Sequence, residues 1–178
     1  MSRIKDSILE LVLEPWTEND LPLLKRLQGD PRMMVFLGGV GFPEKIADRL
    51  QRYVQLQENG QDFMFKILIV GDFSEVGSIG YWEKDRGGDK VYETGWSNLP
   101  KAQDRGIATE AARMVIEMAK AERRHRFIHA FPSVDNLASN AICRKLGFSL
   151  IESSEFDYPP RQTMQCNDWQ FELFTNSY

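Results

Sequence analysis

The order of elements predicts a mixed α/β (α+β) domain, a central, mostly antiparallel twisted sheet of about seven strands flanked by four helices, in the order β-αα-βββ-α-β-α-ββ. Three observations lead there. Strand-like segments in the middle of the chain are separated by turns short enough to make antiparallel hairpins. Longer stretches repeat apolar residues every three or four positions, as helices with one buried face do. No internal repeat, low-complexity run or linker interrupts the 178 residues, which are assigned to one domain, 1–178.

The first strand is placed at Ile8 to Trp16, where the sequence alternates. Thr17-Glu18-Asn19-Asp20 then starts a helix, with Thr17 as N-cap and Asp20 three residues on, close to a capping box. Leu21, Leu23, Leu24 and Leu27 give that helix its apolar face, and it ends near Gly29-Asp30-Pro31. The glycine-rich connector Phe36 to Pro43 leads to a second helix from about Glu44 to Glu58, which buries Ile46 and Leu50 and stops at Gly60. Three strands follow at Phe63 to Val70, Glu75 to Glu83 and Val91 to about Leu99, with a turn at Asp85 to Asp89. The third helix, from Gly106 to about Arg124, has Ala108, Ala111, Ala112 and Val115 on one side and the charges Glu110, Arg113, Glu117 and Lys120 on the other. A strand at Phe127 to Phe131 precedes the fourth helix, Leu137 to Leu146, where Gly147 suits a left-handed cap and Phe148 packs back. Strands at Ser149 to Tyr158 and Trp169 to Phe174 close the domain around a loop at 159–168.

Composition excludes several classes. No apolar run approaches the roughly 20 residues of a membrane span, and Met1 to Asp6 lacks the apolar block of a secretion signal, so cytoplasmic residence is expected. Cys143 and Cys166 make no disulfide framework, and with only His125 and His129 beside them no metal site is expected. A net charge of −4 argues against broad nucleic-acid binding. Any polyanionic ligand must then be held by local groups.

Gln103-Asp104-Arg105-Gly106-Ile107-Ala108 supplies such groups. A strand that turns through glycine into a helix presents unpaired N–H groups at the positive end of the helix dipole, a seat for phosphate. The ordinary alternative is a plain strand–turn–helix junction.

The stretch Glu93-Thr-Gly-Trp-Ser-Asn-Leu-Pro-Lys-Ala-Gln-Asp-Arg-Gly-Ile-Ala-Thr-Glu-Ala resembles the acetyl-CoA-binding core of the GNAT N-acetyltransferases, with their Gln/Arg-x-x-Gly-x-Gly/Ala pattern at 103–108. Downstream, Asn136-Leu-Ala-Ser-Asn-Ala-Ile-Cys-Arg-Lys-Leu-Gly-Phe resembles the family's Asn-x-x-Ser…Lys-x-Gly-Phe signature. The two occur in the family's order, and the branch most resembled includes the ribosomal-protein alanine N-acetyltransferases. The resemblance implies acetyl-CoA as acetyl donor and no metal. It puts the pantetheine arm on the backbone of Trp96, Ser97, Asn98 and Leu99, and the pyrophosphate on Gln103, Asp104, Arg105, Gly106, Ile107, Ala108 and Thr109. Asn136, Ser139 and Lys145 are also assigned to the coenzyme, although Asn136 reads equally as a helix N-cap and Lys145 as a plain surface cation beside Arg144.

Acetyl transfer to an amine needs a base, because an alkyl ammonium with a pKa near about 10 is charged at pH 7. Glu93 is the candidate base, against the equal alternative of a solvent-facing strand glutamate; Glu155 is a weaker one. The resemblance departs at the general acid: Cys143 stands where many members carry tyrosine, and a thiol there reads better as a small buried hydrophobe. Ser139 is the alternative acid. The acceptor is expected between the connector Gly38 to Gly41 and the loop after Tyr158, with Trp82, Trp96 and Tyr158 as aromatic lining or core. Net acidity favours a cationic acceptor through steering. The expected activity is acetyl transfer from acetyl-CoA to a protein N-terminus or a small amine within a ternary complex; the alternative is a non-catalytic acyl-CoA-binding module. Exposed sheet edges make a homodimer a candidate assembly, with no nucleic-acid or membrane partner.

Overall fold

The computed structural model describes residues 9–36, 43–60, 62–71, 74–157 and 163–175. Seven strands form one sheet: β1 Leu11–Pro15, β2 Phe63–Ile69, β3 Ser74–Arg86, β4 Asp89–Asn98, β5 Phe127–Ala130, β6 Ser149–Asp157 and β7 Thr163–Glu172. Their spatial order is β1-β2-β3-β4-β5-β7-β6, and every adjacent pair is antiparallel except β4–β5. The helices are α1 Leu21–Gln28, α2 Pro31–Met34, α3 Pro43–Asn59, α4 Ile107–Glu122 and α5 Leu137–Leu146. The mixed α/β class holds, and so does the element order apart from one added short helix, α2.

Three boundaries differ from expectation for identifiable reasons. The described residues hold five helices rather than four, because Asp30-Pro31 ends α1 and also starts α2: the Asp30 carboxylate accepts from Arg32 N at 2.9 Å, with proline at the first helical position. β3 and β4 run through Asp85, Arg86 and Asp89, leaving only Gly87-Gly88 at positive φ (63° and 94°) to turn the hairpin. β7 begins at Thr163, not Trp169; its first half is polar, and pairing with β6, not local composition, makes it a strand. The connector at 38–41 and Tyr158 lie outside the described residues.

Period-two alternation splits the sheet's side chains between two cores. Ile79, Tyr81, Tyr92, Ile128 and Trp169 pack with Ala111, Ala112 and Val115 of α4 on one face. On the other, Met64 and Leu99 pack with Leu23, Leu24 and Leu27 of α1 and Ile46 and Leu50 of α3. The N–H and hydroxyl of Thr17 both donate to Asp20 Oδ2, at 2.6 and 2.8 Å. Buried Lys66 on β2 donates to Asp20 Oδ1 (2.9 Å) and to Glu75 (3.0 Å), tying the start of α1 to the sheet. Burial works against ionisation of Asp20, but hydrogen bonds from Lys66 and Thr17 outweigh it and hold the carboxyl below its usual range.

Candidate active site

β4 pairs with β3 along its whole length, from Asp89↔Arg86 to Asn98↔Gly77. Its parallel pairing with β5 covers only Tyr92 to Thr94. Beyond Ala130 the chain leaves β4 and follows β7: Asn167 N donates to Pro132 O (2.9 Å), Val134 N donates to Gln165 O (3.0 Å), and Ser133 bridges Cys166. A wedge therefore opens in the sheet between Gly95–Asn98 and Phe131–Val134. The first wall lies tight on β3, since a Cβ at Gly77 would come within 2.3 Å of the Asn98 side-chain amide and 2.6 Å of Ser97 O.

The wedge leads to the start of α4. Asp104 (φ 58°) and Gly106 (φ 76°) both adopt left-handed backbone, which reverses the chain into the helix. Leu99 N is taken by Val76 O (2.8 Å) and Asn98 O by the Gln103 side chain (3.0 Å). The Asn98 amide, oriented to satisfy both its ends, accepts from Ala108 N (3.1 Å) and donates to Ser97 O (3.1 Å). Ile107 and Thr109 belong to the same first turn, where a helix offers its N–H groups no backbone partner. Their side chains are buried in the α4 core, so any ligand here meets their backbone. Gln103, Asp104, Arg105 and Gly106 are exposed and Ala108 half-buried.

The second wall ends at α5. Asn136 Oδ1 accepts from Ser139 N at 3.1 Å, a helix N-cap. Ser139 is half-buried at this end; Lys145 is exposed in the last turn, about 9 Å further along the axis at 1.5 Å per residue. Cys143 is fully buried in the core, and burial pushes its thiol up to about 12, so it stays protonated and shut away from solvent.

Glu93 sits on β4 opposite Trp82 on one side and His129 on the other. Its carboxylate is largely buried, with Oε2 2.8 Å from Lys84 Nζ but off hydrogen-bonding alignment, so that oxygen has no hydrogen-bond partner. Trp96 packs with the α4 core whereas Trp82 packs with the α1–α3 core, so the two do not share a pocket. Glu155 is exposed on β6, with β5 and β7 between it and β4.

A family model for the acetyltransferase (GNAT) domain matches residues 10–149. The chain belongs to the GNAT acetyltransferase family. Solved structures share the fold. A GNAT-family acetyltransferase from Bacillus anthracis is 19% identical with a TM-score of 0.78, covering 93% of this chain and 96% of that one. The ribosomal L7/L12 alpha-N-protein acetyltransferase RimL in complex with coenzyme A is 19% identical with a TM-score of 0.77, covering 93% and 95%. The ribosomal-protein-S5-alanine acetyltransferase of Vibrio fischeri is 16% identical with a TM-score of 0.72, covering 91% of each.

Two groups in this GNAT domain went unnoticed in the sequence. Asn140, buried inside α5, donates to Ser133 O (2.9 Å) and Asn136 O (2.8 Å) and accepts from Asn167 Nδ2 and Trp169 Nε1, both at 2.8 Å. It joins α5, the wedge wall and β7. An asparagine in a helix interior is the signal that marks it, because that position otherwise disfavours it. On β5 beside Glu93, buried His129 Nδ1 donates to Asp168 (2.6 Å), and its Nε2 accepts from Gln170 (3.2 Å), a tautomer assigned from these partners. Arg86 Nε also donates to Asp168, at 2.8 Å. Burial opposes ionisation of Asp168, but the His129 and Arg86 hydrogen bonds prevail and keep its carboxyl below the usual range.

Proposed function

We propose that this protein transfers the acetyl group of acetyl-CoA to a primary amine, on a protein N-terminus or a small molecule, by direct attack in a ternary complex. The observation that carries the reading is the wedge: a strand edge without a β5 partner from Gly95 to Asn98 runs into the start of α4, where Gly106 brings no side-chain cap and Asn98 takes only Ala108 N. An extended arm bearing amides adds to such an edge as a further strand would. A pyrophosphate suits the backbone of Gln103 to Thr109, where N–H groups and the positive dipole end coincide. Asn136 and Ser139 flank the arm, and one N–H of Trp96 to Asn98 polarises the thioester carbonyl, since Leu99 N is already taken by Val76 O.

In this reading Glu93 takes one proton of the acceptor's ammonium. The neutral amine nitrogen bonds to the acetyl carbon, the C–S bond breaks, and the nitrogen's second surplus proton passes through the Ser139 hydroxyl or solvent to the departing thiolate, which leaves Ser139 protonated. Buried Cys143 serves neither as nucleophile nor as acid. The chemistry requires no metal. The bulged edge strand β6, with Leu150 51% and Ile151 47% exposed, is the surface on which two copies would associate.

The test mixes the protein with acetyl-CoA and a panel of free-N-terminus peptides and small amines, and follows thiol release. Acceptor-dependent release is expected, falling by about 100-fold or more in Glu93→Gln. Tight acetyl-CoA binding without release across the panel would make the protein an acyl-CoA-binding module. Absence of binding would sink both readings.

A further inference from the structure

We infer that the acceptor is an acidic peptide segment, received by an open basic groove beside the wedge; this rests on the acetyltransferase reading. The groove encloses about 610 Å³ between the last turn of α1, the short α2 and the 3-10 turn Pro100–Ala102 that follows β4. Lys25 and Arg26 come from α1, and Lys101 from the 3-10 turn. All three are exposed. Arg32 and Asp30 line the groove too, but they neutralise each other at 2.6 Å. Among the described residues, no carboxylate lies within ion-pair reach of Lys25, Arg26 or Lys101.

Three unneutralised cations along one groove reverse the sign of a chain whose net charge is −4. The dipole of α1 accounts for cations in its last turn, Lys25 and Arg26. It gives no reason for Lys101, which approaches the same groove from another element. Leu99 also lines the groove and follows directly on the free edge of β4, so a chain lying in the groove continues into the wedge. A lone phosphate is best held by donors converging on one point, whereas these cations are distributed over separate elements, as the carboxylates of a peptide are. At physiological salt, fields fade over about 8 Å, so these neighbours outweigh the whole-molecule charge that favours a cationic acceptor.

Two peptides with the same free N-terminus decide it, one rich in Asp and Glu, the other with Asn and Gln in their places. Binding is measured by fluorescence anisotropy with coenzyme A present, and transfer by thiol release. The acidic peptide is expected to bind about tenfold tighter at low salt, with the advantage shrinking as salt rises. Substituting Lys25→Gln, Arg26→Gln and Lys101→Gln together should erase that preference while acetyl-CoA affinity and Tm stay unchanged. Equal affinity for the two peptides, or a preference that survives the triple substitution, overturns the inference. Loss of acetyl-CoA affinity in the triple variant also overturns it and gives the groove to the coenzyme's phosphates. Stronger competition by a small phosphate-bearing amine does the same. Should the acidic peptide bind through these cations while no amine is acetylated, the groove assignment stands and the transferase reading falls.

Discussion

The two ends of α4 are finished in opposite ways. At its C-terminal end the hydroxyls of Tyr81 (2.6 Å) and Tyr92, two buried phenols from β3 and β4, donate to the two oxygens of Glu122. Arg123 closes the helix in left-handed backbone and lies 4.8 Å from the Phe174 ring, and His125 meets Glu83 at 3.0 Å. At its N-terminal end the helix starts from Gly106 without a side-chain cap on that residue, and Asn98 satisfies one first-turn N–H. Polar groups that anchor the helix to the sheet gather at one end. Those left over for a visitor gather at the other, where the wedge arrives. Anchoring and recognition are thus separable by mutation.

The sharpest attempt to break that separation is Gly106→Trp. Calorimetry should show acetyl-CoA binding weakened by about 100-fold or more, because bulk fills the phosphate seat. A Cβ there meets nothing within 4 Å, so the fold should lose only about 1–2 kcal/mol through side-chain strain at φ 76°. Retained affinity would place the coenzyme elsewhere. Glu122→Ala is the converse: denaturant unfolding should show a loss of about 2–4 kcal/mol from two buried hydroxyls left unpaired, with acetyl-CoA affinity unchanged. A large affinity change would mean the ends are coupled.

The pH dependence gives a finer contrast. Burial first, then the Glu122 carboxylate, raises both phenols above their ordinary 10.0. The unfolded chain ionises them first, so their contribution is whole below about pH 10 and is lost above it. Asp20 and Asp168 are lowered from 3.8, so their contribution is present above about pH 4 and lost below as they protonate. Thermal melts should decline at both extremes, and Tyr81→Phe should flatten only the alkaline side. The smallest effect is expected at Cys143: Cys143→Ala should change the transfer rate by less than about twofold. A collapse of rate with the fold intact would make that thiol the missing acid.

The sequence showed what is local. Gly106 and Gly147 announce their turns by residue type, and Thr17 and Asp20 their capping interaction, because each depends on neighbours a few positions away. The wedge depends on which partner residues 131–134 choose, a decision made with β7 more than thirty positions later, at Gln165 and Asn167. The His129–Asp168–Arg86 network joins residues 39 and 82 positions apart, and no spacing rule links them. β7 itself was half hidden, since Gln165, Asn167 and Asp168 look like a loop until β6 pairs with them. Glu93 was legible as a strand carboxylate, but its burial beside Lys84 was not.

β7 lies between β5 and β6 in space although it is the last strand in sequence, and it draws residues 131–134 away from β4. A chain still being synthesised can fold its first four strands as a meander, yet it has no cleft until residues 163–172 have left the ribosome. Activity should then appear late and abruptly during translation. Truncation before Thr163 should abolish it even though both recognition motifs would be present in full.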